Sequence, residues 1–298
     1  MNETYKKQTL IRAICFSSLF VAINVLCSFL AMTIPVAGVI LIIFLPLTSA
    51  LVEINIKDRW FPIYAIATIG LSIVATLSSI DFTLFYIVPS IFTGYIFGLS
   101  LKRGIPNLIA ILLATLFQTF LSFAFVEILN LITGIDIIAI FAKIFGISDV
   151  FLFNSFIFVF FFVVGLVQVI LSFIVVENEL SKFGFRKHVK IDESLVASFS
   201  ILGSILFSGI FALFYMPLSL LFILLSFYFS VFVIFFEFKN QNRVSLIING
   251  VGLFVQILLF ALLNGLIEGL YVFLLLLIWP LIIFCVSIFH YFLKKSKQ

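Results

Sequence analysis

Apolar runs of about 20 residues recur along almost the whole chain, separated by short polar clusters. At about 1.5 Å of rise per residue, a helix of that length crosses the roughly 30 Å of hydrocarbon in a bilayer. No segments of about ten residues alternate polar with apolar, as the strands of a membrane barrel require. The pattern therefore predicts an all-α integral membrane protein. Its ten spans fall over residues 9–31, 36–54, 60–79, 82–100, 106–131, 150–176, 194–215, 217–237, 245–265 and 268–292. The segment 136–146 (IDIIAIFAKIF) is too short to cross, and is expected at the interface or as a re-entrant piece between spans five and six. No small-residue cleavage site follows the first run, so it reads as an anchor helix and not as a signal peptide.

Composition agrees with this pattern. Of the 298 residues, 64% are apolar, 42 are phenylalanine and only 10% are charged. A soluble domain needs far more charge to cover its surface. The charge distribution adds an orientation. Lys6, Lys7 and Arg12 precede span one, Lys57 and Arg59 separate spans two and three, and Lys102 and Arg103 separate four and five. Lys182, Arg186, Lys187 and Lys190 lie between six and seven, Lys239 and Arg243 between eight and nine, and Lys294, Lys295 and Lys297 close the chain. Ten spans place 16 of the 17 basic residues on one side and leave Lys143 alone on the other. Basic residues in short loops mark the cytosolic side, which puts both termini in the cytosol of a cytoplasmic-type membrane. The net charge of +4 then follows from topology and calls for no nucleic-acid partner.

The longest polar stretch, 177–193 (ENELSKFGFRKHVKIDE), divides six helices from four. The domains expected are a six-helix unit over 1–180, a basic cytosolic linker over 181–193 and a four-helix unit over 194–298. Pro62 and Pro106 suit the first turn of a helix, whereas Pro46 and Pro89 are expected to kink spans two and four. Gly94 and Gly98, and Gly265 and Gly269, are spaced for close helix approach. Cys15, Cys27 and Cys285 lie in apolar runs and read as small buried hydrophobes. No Cys/His spacing suggests a metal, and no phosphate-binding loop, zinc-protease motif or nucleophile elbow occurs. The expectation is a non-enzyme without a cofactor.

Few polar groups enter the spans, so their depth is informative. Glu127 lies 21 residues beyond Pro106, about 32 Å along span five, near its outer end with Asn130 close by on the same face. Span six runs back, putting Asn154 at similar depth, on a face shared with Gly165 and Gln168. Asp81 occupies the outer turn between spans three and four, and Asn264 and Glu268 form a similar pair at the end of span nine. Carboxylates at the edge of lipid need a cavity, a partner or water. Two readings stay open: an outward-facing pocket using Glu127, Asn130, Asn154, Gln168 and Asp81, or side chains marking the water interface. Glu53 is expected as a solvated pair with Lys57 at a cytosolic helix end. Trp60, Tyr64, Tyr86, Tyr95 and Trp279 suit interfacial belts or packing.

The opening IRAICFSSLFVAINVL, the turn at Ile34–Pro35, the FLP at Phe44–Pro46 and the segment VPSIFTGYIFG resemble the substrate-capture (S) subunits of energy-coupling factor vitamin transporters. With four further helices after a basic linker, the whole chain resembles the YybS-like family of membrane proteins related to those subunits. The resemblance implies a six-helix unit that binds a small, vitamin-like solute at its outer face. It also implies docking on a transmembrane coupling subunit driven by ATPases. The docking positions it points to are Ala13 and Ser17, or Ser18 and Ala22, a degenerate form of the small-residue surface in S subunits. The expected function is thus a solute-binding component of a transport system, the alternative a non-transporting membrane scaffold or assembly partner.

Overall fold

The computed structural model of the chain describes residues 10–77, 80–144, 150–185, 193–239, 243–263 and 269–295. All regular structure among them is helical. The helices are α1 (Leu10–Thr33), α2 (Pro35–Asn55), α3 (Phe61–Ala75), α4 (Val88–Arg103), α5 (Asn107–Thr133), α6 (Ile137–Ile144) and α7 (Val150–Lys182). They continue with α8 (Glu193–Phe214), α9 (Met216–Lys239), α10 (Arg243–Leu263) and α11 (Ile278–Lys295), the last preceded by a 3-10 segment, Gly269–Leu277. Eight stretches are long and apolar enough to cross a bilayer, and they fall on the first and the fourth to tenth predicted spans. The chain is a multi-pass membrane protein. The second and third predicted spans are shorter: the apolar part of α2 covers Ile40–Asn55, and α3 has 15 residues, about 22 Å of rise. Side chains such as Ile66, Leu131, Leu213 and Val251 point outward from their helices, as lipid-facing positions require.

The chain divides into two compact units, residues 1–146 with 160–190, and residues 147–159 with 191–298. The first unit holds α1 to α6 and most of α7. Its core gathers Ala13 and Val21 of α1, Leu45 and Val52 of α2, Phe61, Tyr64 and Ala65 of α3, and Ile91 of α4. Turn chemistry fixes the helix ends. Pro62 sits in the first turn of α3, and Gly104 and Gly134 take the left-handed conformation that ends α4 and α5, each at φ 67°. Pro46 lies inside α2 as expected. Pro89 lies within the continuous helical stretch Thr83–Arg103, where a π-helical turn, Thr83–Ile87, passes into α4.

Gly94 and Gly98 face α2. A Cβ on Gly94 would meet Ser49 Cβ at 2.6 Å and press on the Pro46 carbonyl oxygen, and one on Gly98 would meet Glu53 Cβ at 2.7 Å. Only a bare backbone allows the two helices to approach this closely. In the second unit α8 packs along α9, joined where Ser208 and Ser219 exchange hydrogen bonds side chain to side chain and side chain to backbone. Ser198 of α8 meets Ser287 of α11 at 2.7 Å.

Candidate functional site

Ordinary packing explains most of the first unit; the exceptions are polar side chains where the surroundings are apolar. Halfway along α5, Gln118 is 5% exposed and its Nε2 donates to Gln168 Oε1 of α7 at 2.5 Å. Gly165 lies about one turn before Gln168, and a Cβ built on it would touch the Gln118 stem at 3.6 Å, an ordinary contact. Thr115 and Thr119 satisfy themselves on carbonyls four residues back, but Gln118 Oε1 and Ser172 Oγ are buried without a hydrogen-bond partner. Towards the other end of this helix pair, Asn107 Nδ2 reaches Glu177 Oε1 at 3.5 Å, so α5 and α7 run antiparallel.

The residues expected to line an outer pocket are distributed differently among themselves. Gln168 is inside, paired with Gln118. Asn130 accepts from the Ile137 N–H through Oδ1 at 3.0 Å, which starts α6 after the turn at Gly134. Glu127 is on the exposed face of α5, and Asp81 is exposed within the short turn Ile80–Phe82. Half-integral turns separate Glu127 from Gln118, nine residues apart on a helix of 3.6 residues per turn, so the two point to opposite sides. The Asn154 backbone belongs to α7, in the stretch that groups with the second unit, and its side chain lies outside the described residues. The Asn264–Glu268 pair also lies outside them. Of the docking positions, Ala13 is buried in the core, Ser17 is half-buried, and Ser18 and Ala22 are exposed.

Two expectations need correction. Glu53 is not solvated and does not pair with Lys57. It is 0% exposed, and Lys102 Nζ of α4 meets its Oε1 at 2.9 Å. The close α2–α4 approach at Gly98 brings that lysine over the carboxylate, a contact that sequence spacing along one helix could not suggest. The same Nζ also donates to the Ile56 carbonyl at 2.9 Å and to Asp58 Oδ1 at 2.8 Å, and Arg103 Nη2 holds Asp58 Oδ2 at 3.0 Å. These contacts, the Lys102 hydrogen bond foremost, draw the Asp58 carboxyl down to about 2. Cys15 and Cys285 are exposed on their helices, not buried. Of the aromatics expected in interfacial belts or in packing, Tyr64 and Trp279 take the packing role, because both are buried.

Tyr64 anchors a second polar group that the sequence reading missed. Its hydroxyl accepts from Asn24 Nδ2 of α1 at 2.6 Å and meets Ser49 Oγ of α2 at 3.0 Å, while Thr48 donates to Asn24 Oδ1 at 2.7 Å. Ser28 of α1 and Ser72 of α3 meet at 3.2 Å nearby. All these groups find partners, which marks a network that fixes three helices against one another. The available signal was the placement of Asn24 in the middle of an apolar run.

The second unit has its own buried polar cluster. Glu237 of α9 accepts from Asn249 Nδ2 of α10 at 2.7 Å. Trp279 of α11 donates through Nε1 to the Asn249 carbonyl at 3.0 Å and through its backbone N–H to Gln256 Oε1 at 2.8 Å. Compared with family models, with curated proteins and with solved structures, the chain matches none of them.

Proposed function

We propose that the chain is the solute-binding membrane component of a transport system, crossing a cytoplasmic-type membrane ten times with both termini in the cytosol. The Gln118–Gln168 pair carries this reading. Polar side chains deep among apolar helices are costly to keep and serve a ligand or pathway more often than packing. Gln118 Oε1 and Ser172 Oγ supply unused hydrogen-bonding capacity on facing helices, which a solute bearing N–H or O–H groups would fill. On the outward-facing reading, Asp81 and Asn130 would meet the solute before it reaches this pair. By its resemblance to S subunits, the chain takes its energy from a coupling subunit and ATPases, docking through the exposed Ser18 and Ala22. The scaffold alternative loses one of its surfaces, because α2 already covers Gly94 and Gly98.

The test is a thermal-stabilisation screen of the purified full chain against vitamins and related small metabolites. At least one compound should raise the melting temperature, and Gln168→Leu should reduce that rise. A screen without any stabilising compound, together with a tight protein complex on co-purification, would favour the scaffold.

A further inference from the structure

At the α2–α4 end of the first unit the ionic contacts close on themselves. Lys102 meets both Glu53 and Asp58, and Arg103 meets Asp58. Lys57 and Arg59, on the same turn, are exposed, and among the described residues no acid pairs with either. Arg59 lies over the Trp60 ring, its Cζ 5.0 Å from the centroid. Directly after these residues runs a groove of about 310 Å³, lined by Phe61, Pro62, Ala65 and Ile69 of α3 and by Phe92 and Tyr95 of α4. Its walls are almost wholly apolar, and Phe61 and Tyr95 pack ring to ring at 4.5 Å along one side.

We propose that this groove holds an acyl chain of an anionic phospholipid whose phosphate sits against Arg59 and Lys57. The inference is independent of the transport reading. A groove among membrane helices is filled from the bilayer, because water there would face apolar walls on every side. The headgroup preference follows from charge. Two exposed cations without acidic partners immediately precede Phe61, the first residue lining the groove, and a phosphate meets a guanidinium through two parallel hydrogen bonds. A zwitterionic lipid fits the groove but brings its own cation to the same place.

The experiment uses the full chain reconstituted in nanodiscs of equal phosphatidylglycerol and phosphatidylcholine, followed by native mass spectrometry of the lipid that stays bound. Phosphatidylglycerol should be retained over phosphatidylcholine, and the preference should fall roughly fivefold for each of Lys57→Gln and Arg59→Gln. Both sites are exposed, so the fold should be intact in these variants. Ala65→Leu fills the groove and should remove bound lipid of both kinds. Because that variant alters a buried position, brominated acyl chains give a second readout on the unaltered protein. Bromine on phosphatidylglycerol should quench fluorescence more than bromine on phosphatidylcholine, and Trp60→Phe should abolish the difference. Equal retention of the two lipids, equal quenching, or a preference unchanged in Lys57→Gln and Arg59→Gln overturns the proposal.

Discussion

Lys102 gathers three oxygens, from Glu53, Asp58 and the Ile56 carbonyl, and so binds the end of α2 to the end of α4. The energetic weight falls on Glu53, which has no exposure and would be left as an uncompensated buried charge without the lysine. Lys102→Ala should therefore destabilise the protein by about 3 kcal/mol in detergent unfolding, and adding Glu53→Gln should recover a large part of the loss. A double variant no better than Lys102→Ala alone would show that the charge is not the cause. Asp58 gives a pH signature of known sign. Its carboxyl is held near 2, below the usual carboxylate range, so its stabilising contribution is complete above about pH 4. That contribution is lost as pH falls toward 2, and Asp58→Asn should flatten the acid limb of a melting-temperature profile measured from pH 5 to pH 2. The groups themselves were visible in the sequence, but the partner of Glu53 was not. Spacing along one helix offered Lys57, whereas the actual cation comes from a helix two elements away.

Glycines divide by element into those that another helix covers and those that it does not. Gly94 and Gly98 on α4 lie against the α2 backbone, whereas nothing stands within 4 Å of a Cβ built on Gly70 of α3. Gly94→Ala should cost about 1–3 kcal/mol through forced separation of α2 and α4. Gly70→Ala should be neutral or stabilising by up to about 1 kcal/mol, as expected for glycine replaced inside a helix. Unfolding curves that show the same sign for both would remove the close-packing account. The Gly-x-x-x-Gly spacing was readable in advance because it is local, and so was the first-turn role of Pro62. The π-helical turn before Pro89 was not readable, and in it Thr83 meets Thr76 at 2.6 Å.

For the molecule as a whole, the alternation of basic loops makes a testable statement about orientation. A fluorescent-protein fusion at the C-terminus should fluoresce, and an alkaline-phosphatase fusion after Ile144, beside the lone Lys143, should be active. An inactive phosphatase there would change the parity of the spans before it. The sequence by itself determined that the chain lives in a membrane as a series of helices, because an unsatisfied backbone and an exposed apolar run are both too costly in the wrong solvent. It also placed most of the spans, since a run long enough to cross lipid is a property of consecutive residues. Which polar side chains meet was decided only by tertiary structure. Gln118 and Gln168 are 50 residues apart, Asn24 and Tyr64 are 40 apart, and Glu53 and Lys102 are 49 apart. Within one helix every side chain has a known direction, but the rotation of one helix against another is set by packing, here by bare glycine backbones and buried hydrogen bonds. That rotation turned Gln168 inward and left Glu127 on the outer face.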